Sequence, residues 1–141
     1  MPEPGGYAVT SDRRRIDVDA VERFLRASHW AANRSRARIE RSMAHSLCFA
    51  VLDERCDTVA FARVVTDCAD FAWLCDVFVD PAHRGRGLSR LLLDAALSHP
   101  DLCGLRRWLL ATQTAGGLYE QYGFAPLLRP EIWMERFAPG A

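Results

Sequence analysis

The feature that most restricts this fold is a strand running into a glycine-punctuated turn and then directly into a helix. Phe71 to Val79 is an apolar run of strand length, ended by Pro81. Arg84-Gly85-Arg86-Gly87 follows. The next stretch, to Leu97, is apolar at Leu88, Leu91, Leu92, Ala95 and Ala96, the spacing of a buried helix face. Glycines in such a turn let backbone N–H groups approach a ligand with no Cβ in the way. Successive N–H groups there form an anion-binding concavity, and the helix start adds free N–H groups and its positive dipole end. The contacts expected on this basis come from Gly85, Gly87, Leu88 and Ser89, with Arg84 and Arg86 adding charge-assisted bonds to phosphate oxygens. The segment suits a diphosphate. A dinucleotide fingerprint would need glycine where Arg90 stands, and a Walker loop would need Gly-Lys-Ser/Thr, which is absent.

The rest of the chain fixes the surroundings of that turn. Tyr7 to Thr10 reads as a first strand. Asp17 precedes a helical pattern at Val18, Val21, Phe24 and Leu25, and Asn33 or Ser35 caps a second helix reaching about Met43. Leu47–Leu52 and Thr58–Val65 read as hairpin strands around a turn at Asp53–Asp57. After the central helix, Arg107–Ala111 reads as a strand and Ala115–Tyr122 as a short helix closed by Gly123. Two last strands are expected near Phe124–Leu128 and Ile132–Phe137. The order predicts one α/β domain spanning residues 1–141, with a mixed, twisted sheet of six to seven strands and helices on both faces.

Composition narrows the function. The 141 residues are 50% apolar, enough for a core without disulfide or metal staples. The formal charge sums to zero, which argues against a dedicated nucleic-acid binder. No apolar run is long enough to span a bilayer, and Met1–Gly6 lacks the basic and apolar regions of a secretory signal, so a cytoplasmic location is expected. Every basic residue is Arg, so no lysine chemistry is available. The five Cys contain no C-x-x-C pair; most are expected as small buried residues in strands, and no metal site is expected.

The glycine segment resembles motif A of the GNAT superfamily of N-acetyltransferases, Q/R-x-x-G-x-G/A. Arg84 stands at its first position, Gly87 at its fourth, and Ser89 at its sixth in place of Gly or Ala. Val77-Phe78-Val79-Asp80-Pro81 resembles the strand preceding that motif, and Tyr119-Glu-Gln-Tyr-Gly-Phe124 is similar to the family's Tyr-Glu-x-x-Gly-Phe segment. The resemblance covers roughly residues 47–128. It implies acetyl-CoA as acetyl donor, backbone contacts from Phe78 and Val79 to the pantetheine arm, and a small-molecule amine as acceptor. It also implies direct attack in a ternary complex and a homodimer through the last strands. By the same resemblance Tyr119 is the acid that protonates the leaving thiolate, a phenol being protonated at neutral pH.

The base is left open by the sequence. Asp76 matches the Asp of a Leu-Glu-Asp-Phe-Phe-Val segment in polyamine-acetylating members, but Cys75 replaces the neighbouring Glu. Asp76 therefore acts on the substrate ammonium or pairs with an arginine such as Arg63. His45 is a lesser candidate base, and Cys75 a lesser candidate nucleophile. Trp30 and Trp73 line an acceptor pocket or pack as core, core being the commoner fate of such residues. The run Arg34, Arg36, Arg38, Arg41 reads as a solvated face, with attraction of an acidic acceptor or a coenzyme phosphate as its other use. The rival to an enzyme is a non-catalytic acyl-CoA-binding sensor of the same fold.

Overall fold

The computed structural model describes residues 4–140; residues 1–3, the start of the stretch read above for a leader, and residue 141 lie outside it. The chain divides into two compact units, Met1–Leu110 and Ala111–Ala141.

The first unit holds a sheet of five strands in chain order: β1 (Ala8–Thr10), β2 (Leu47–Leu52), β3 (Thr58–Thr66), β4 (Phe71–Val79) and β5 (Arg107–Leu109). The first three pairings are antiparallel and the last, β4 with β5, is parallel. A parallel pair needs a crossover, and helix α3 (Leu88–Ser98) supplies it. Cys48 to Leu52 are all buried, which is why β2 reads as a continuous apolar run rather than an alternating one.

Helix α1 (Val18–Arg26) starts on Asp17, whose side chain accepts from the Asp19 N–H, and buries Ala20, Val21, Phe24 and Leu25. Helix α2 (Arg36–Ala44) starts on Ser35 rather than Asn33, the Ser35 hydroxyl accepting from the Arg38 N–H. Both helices pack on the face formed by Cys48, Ala50, Leu52, Phe61 and Phe78, with Phe24 stacked on Phe78 at 5.2 Å. The alternate residues point the other way, where Phe49 meets His99 at the end of α3. Helices therefore cover both faces, as the sequence predicts. Among the described residues no helix is long and apolar enough to cross a membrane.

Two irregularities in β4 shape the site. The β3–β4 register shifts between Phe61/Phe78 and Arg63/Cys75, leaving one extra residue on β4. Asp76, at φ +54°, sits in that bulge, an unusual backbone for a non-glycine residue. In addition, β4 pairs with β5 only at Phe71, Ala72 and Trp73. From Leu74 to Val79 it has β3 on one side and, among the described residues, no strand on the other.

The second unit carries helix α4 (Gly116–Glu120), shorter than the expected Ala115–Tyr122. Gly123, at φ +89°, turns the chain out of it, and the Phe124 N–H returns to the Tyr119 carbonyl at 3.2 Å. The two expected last strands do not form, so the described residues hold five strands, not six to seven. Pro126 removes a ladder donor from the first of them, and Pro130 opens a short 3-10 turn, Pro130–Ile132, that takes in the start of the second. Leu128 and Met134, taken as strand residues, are 96% and 95% exposed.

The cysteine expectation also needs correction. Only Cys48 is fully buried; Cys56, Cys68 and Cys103 are exposed. Cys56 and Cys68 occupy hairpin turns at φ +65° and +60°.

Candidate functional site

The turn between β4 and α3 is built as its residues dictate. Asp80 accepts from the Ala82 N–H and opens a 3-10 turn, Pro81–His83, that leads into Arg84. Gly85 and Gly87 both have φ +77°, a conformation that costs any L side chain about 1 kcal/mol or more. A Cβ added at either glycine would meet nothing within 4 Å. These glycines thus satisfy the backbone and leave room for something outside the chain. Gly87 precedes α3 without any side-chain cap, so the helix keeps its N-terminal N–H groups available to a ligand. A cleft of about 260 Å³ opens here, lined by Val79, His83, Arg84, Gly85, Gly87, Leu88, Ser89 and Arg90.

The two arginines expected at the diphosphate are held differently: Arg84 lines the cleft and Arg86 does not. Arg84 donates from Nε to the Val79 carbonyl at 3.2 Å and lies over the Phe78 ring at 5.5 Å. Arg86 donates to the Tyr7 hydroxyl at 2.8 Å. The same phenol is hydrogen-bonded to His83 Nδ1, also 2.8 Å away. Tyr7 is buried, so the start of β1 pins the turn through two partners. Sequence reading missed Tyr7 and His83. Tyr7 lies 76 residues from His83 and 79 from Arg86 along the chain, which leaves no local signal. Of the expected cofactor contacts, Arg84, Gly85, Gly87, Leu88, Ser89 and Val79 line the cleft, while the Phe78 side chain is core.

The second constellation surrounds the β4 bulge. Asp76 is 5% exposed. Its Oδ2 accepts from Arg34 at 2.7 Å and from Arg63 Nε at 2.9 Å, and its Oδ1 accepts from the Trp30 indole N–H at 3.0 Å. The pairing with Arg63 is one of the two uses expected of this carboxylate. Burial alone would raise its pKa, but the hydrogen bonds and charges of Arg34 and Arg63 outweigh burial and hold it below the ordinary 3.8. Such a group stays ionised and is a poor proton acceptor at neutral pH.

Trp30 and Trp73 are not core: they are 45% and 46% exposed. Of the Arg-rich run, Arg36 lies on a solvated face and pairs with Asp19, Glu22 and Glu40, and Arg38 and Arg41 are exposed. Arg34 alone turns inward. Burial pushes the Cys75 thiol up to about 11, so it carries little thiolate. His45 is exposed at the end of α2.

Removing Asp76 has a definite expected cost. Asp76→Ala leaves Arg34 and Arg63 without their shared counter-charge in a largely buried place, which costs about 3–5 kcal/mol. Urea unfolding measures it. The pH dependence follows from the lowered carboxyl. Its stabilisation is complete above the unfolded value of 3.8 and is lost as pH falls through the lower folded value. The urea midpoint of the native protein should therefore fall below pH ~4, more steeply than that of Asp76→Asn.

Tyr119 belongs to the second unit. Its ring is buried and meets Phe124 edge-on at 6.0 Å. Burial raises its pKa, so the phenol is protonated at neutral pH. Among the described residues its hydroxyl has no hydrogen-bond partner, yet no fully buried side-chain oxygen or nitrogen lacks one. The hydroxyl is therefore not fully enclosed, and its proton is unassigned.

Comparison with known proteins agrees with this arrangement. The sequence profile of the acetyltransferase (GNAT) domain matches residues 44–126, which include β2 to α4 and the whole glycine turn. A crystal structure of a Xanthomonas campestris pv. campestris protein assigned to the GNAT family is 48% identical. It superposes with a TM-score of 0.92, over 99% of this chain and 96% of that one. A Gibberella zeae protein provisionally described as an acetyltransferase is 26% identical over 108 residues, 63% of this chain; the match spans 61% of the fungal protein's length. Glucosamine-6-phosphate N-acetyltransferase of Arabidopsis thaliana, at 14% identity and a TM-score of 0.67 over 93% and 97% of the two chains, shares the fold. With its glycine turn, bulged fourth strand and profile match in one stretch of chain, this protein belongs to the GNAT family of acetyltransferases.

Proposed function

We propose that this enzyme transfers the acetyl group of acetyl-CoA to a primary amine of a small-molecule acceptor, by direct attack in a ternary complex. The observation that carries the reading is the turn at Gly85 and Gly87. Positive φ, open space above both glycines and an uncapped helix start lie together at one cleft. These features fit a diphosphate, and the open β4 edge beside them fits an extended arm bonded to the backbone of Phe78 and Val79.

The coenzyme thioester supplies the acetyl group; the chain binds, orients and handles protons. Backbone N–H groups from Gly85 to Ser89 hold the diphosphate, with Arg84 adding charge from its seat over Phe78. A β4 backbone N–H beside the bulge stabilises the charge growing on the carbonyl oxygen as the nitrogen–carbon bond forms. Tyr119 gives its proton to the sulfur as the carbon–sulfur bond breaks. Asp76, held ionised by three donors, serves by fixing Arg34, Arg63 and Trp30, and the amine proton leaves to water.

Thermal unfolding with acetyl-CoA, NAD and ATP in parallel tests the reading. Acetyl-CoA at 100 times its dissociation constant stabilises the fold by about 2.7 kcal/mol, a midpoint rise of several degrees. A rise with acetyl-CoA alone, followed by amine-dependent thiol release, is the expected result. No rise at millimolar acetyl-CoA sinks the proposal.

A further inference from the structure

The cluster on the β4 bulge carries more positive than negative charge. Arg34 and Arg63 share one oxygen of one carboxylate, so two cations face a single anion. The nearby thiols do not correct this: burial raises Cys48 and Cys75 to about 11 each, and both are neutral. Arg13 is close enough to act on Cys48 and adds a further positive charge. Arg26, from α1, donates to the Ala32 and Arg34 carbonyls, and its carboxylate partner, Glu22, is also bonded to Arg36. The side chains of Arg34 and Arg63 are only 19% and 12% exposed, so water screens this surplus poorly.

The unused donors are not fully enclosed. Arg34 spends NH1 on Asp76; Arg63 spends Nε on Asp76 and NH1 on Ser46. A guanidinium has five N–H donors, so each arginine keeps several. No fully buried side-chain nitrogen among the described residues lacks a partner, so the remaining donors reach accessible space. Half-exposed Trp30 stands beside them. Asp76 also lies two residues from Phe78, on the part of β4 whose outer edge no strand of the described residues covers.

From these observations we infer that the acceptor is an amino acid, whose carboxylate docks on the free donors of Arg34 and Arg63 while its amine faces the thioester. This rests on the acetyl-transfer function proposed above. A carboxylate matches the planar fork of Arg34 and cancels the uncompensated charge; a polyamine brings more positive charge to a place that already has a surplus. Asp76 then has a defined part: it holds both forks in place, so that binding costs little ordering.

The test uses the full chain, saturating acetyl-CoA and thiol release, with L-amino acids, their matching carboxamides and spermidine as acceptors. The carboxamides have the more readily deprotonated amines, so a preference for the acids has to come from the protein. The expected result is kcat/KM at least about tenfold higher for the best acid than for its amide. Arg34→Gln should collapse that ratio towards one, and Arg34→Lys should keep part of it. Neither should abolish the acetyl-CoA midpoint shift. Equal or better turnover of amides or spermidine overturns the inference. So does a panel with no turnover at all, or an Arg34→Gln loss equal for acid and amide. Failure of acetyl-CoA to stabilise the protein would instead remove the acetyl-transfer reading itself.

Discussion

Tyr119→Phe is expected to lower kcat by about 10²- to 10⁴-fold while leaving the acetyl-CoA midpoint shift and the unfolding free energy nearly unchanged. The size follows from the chemistry. A departing thiolate that receives no proton in the transition state leaves more slowly, and general acids typically contribute two to four orders of magnitude. The selectivity follows from the structure. The Tyr119 ring is buried and would be retained by Phe, and its hydroxyl bonds to no described residue, so nothing is left unpaired when it goes. Burial raises the phenol pKa, so the acid form persists well above neutrality and the native rate should not fall between pH 7 and 9 for want of this proton. Steady-state kinetics together with thermal unfolding separate the outcomes. An unchanged kcat would remove Tyr119 from the chemistry; a parallel loss of stability would make it a packing residue.

What could be read from the sequence was whatever short-range pattern controls. The bounds of β2 and β4, Leu47–Leu52 and Phe71–Val79, match the expected ones because Asp53 and Pro81 end runs that are apolar except at Asp76. The start of α3 at Leu88 was legible for the same reason: Gly87 can take the φ that the turn requires. The last two strands were misread because both segments are apolar runs of strand length, while Pro126 withholds a donor that a ladder needs and Pro130 starts a 3-10 turn that runs into the second. The site was legible where it is backbone and illegible where it is side-chain pairing. Arg34 is the same residue type as Arg36, Arg38 and Arg41; only the bulge at Asp76, a non-glycine residue at positive φ, gives it something to turn towards. The Tyr7–His83–Arg86 connection depends on β1 lying at the sheet edge beside β2, a fact of topology that no local window contains.

Gly87→Trp should abolish detectable acetyl-CoA stabilisation while the protein still unfolds in one cooperative step. Two effects have to be weighed. Placing a side chain at φ +77° strains the backbone by about 1–2 kcal/mol, a small part of the stability of an ordinary domain. A Cβ at this position meets no protein atom within 4 Å, so the first atom of the side chain adds no clash to that strain. The bulk of the indole instead enters the 260 Å³ cleft in which Gly85, Leu88 and Ser89 would present N–H groups to a diphosphate. Gly87→Ala separates the two effects, since it carries the strain with little of the bulk. It should lower the midpoint by a few degrees and keep a measurable acetyl-CoA shift. If Gly87→Trp still responds to acetyl-CoA as the native protein does, the cleft is not the coenzyme site, and the proposed roles of Arg84, Ser89 and the β4 edge lose their basis together. If Ala and Trp are equally unresponsive, backbone shape rather than open volume is what the ligand requires, and the N–H geometry of the turn becomes the whole of its affinity.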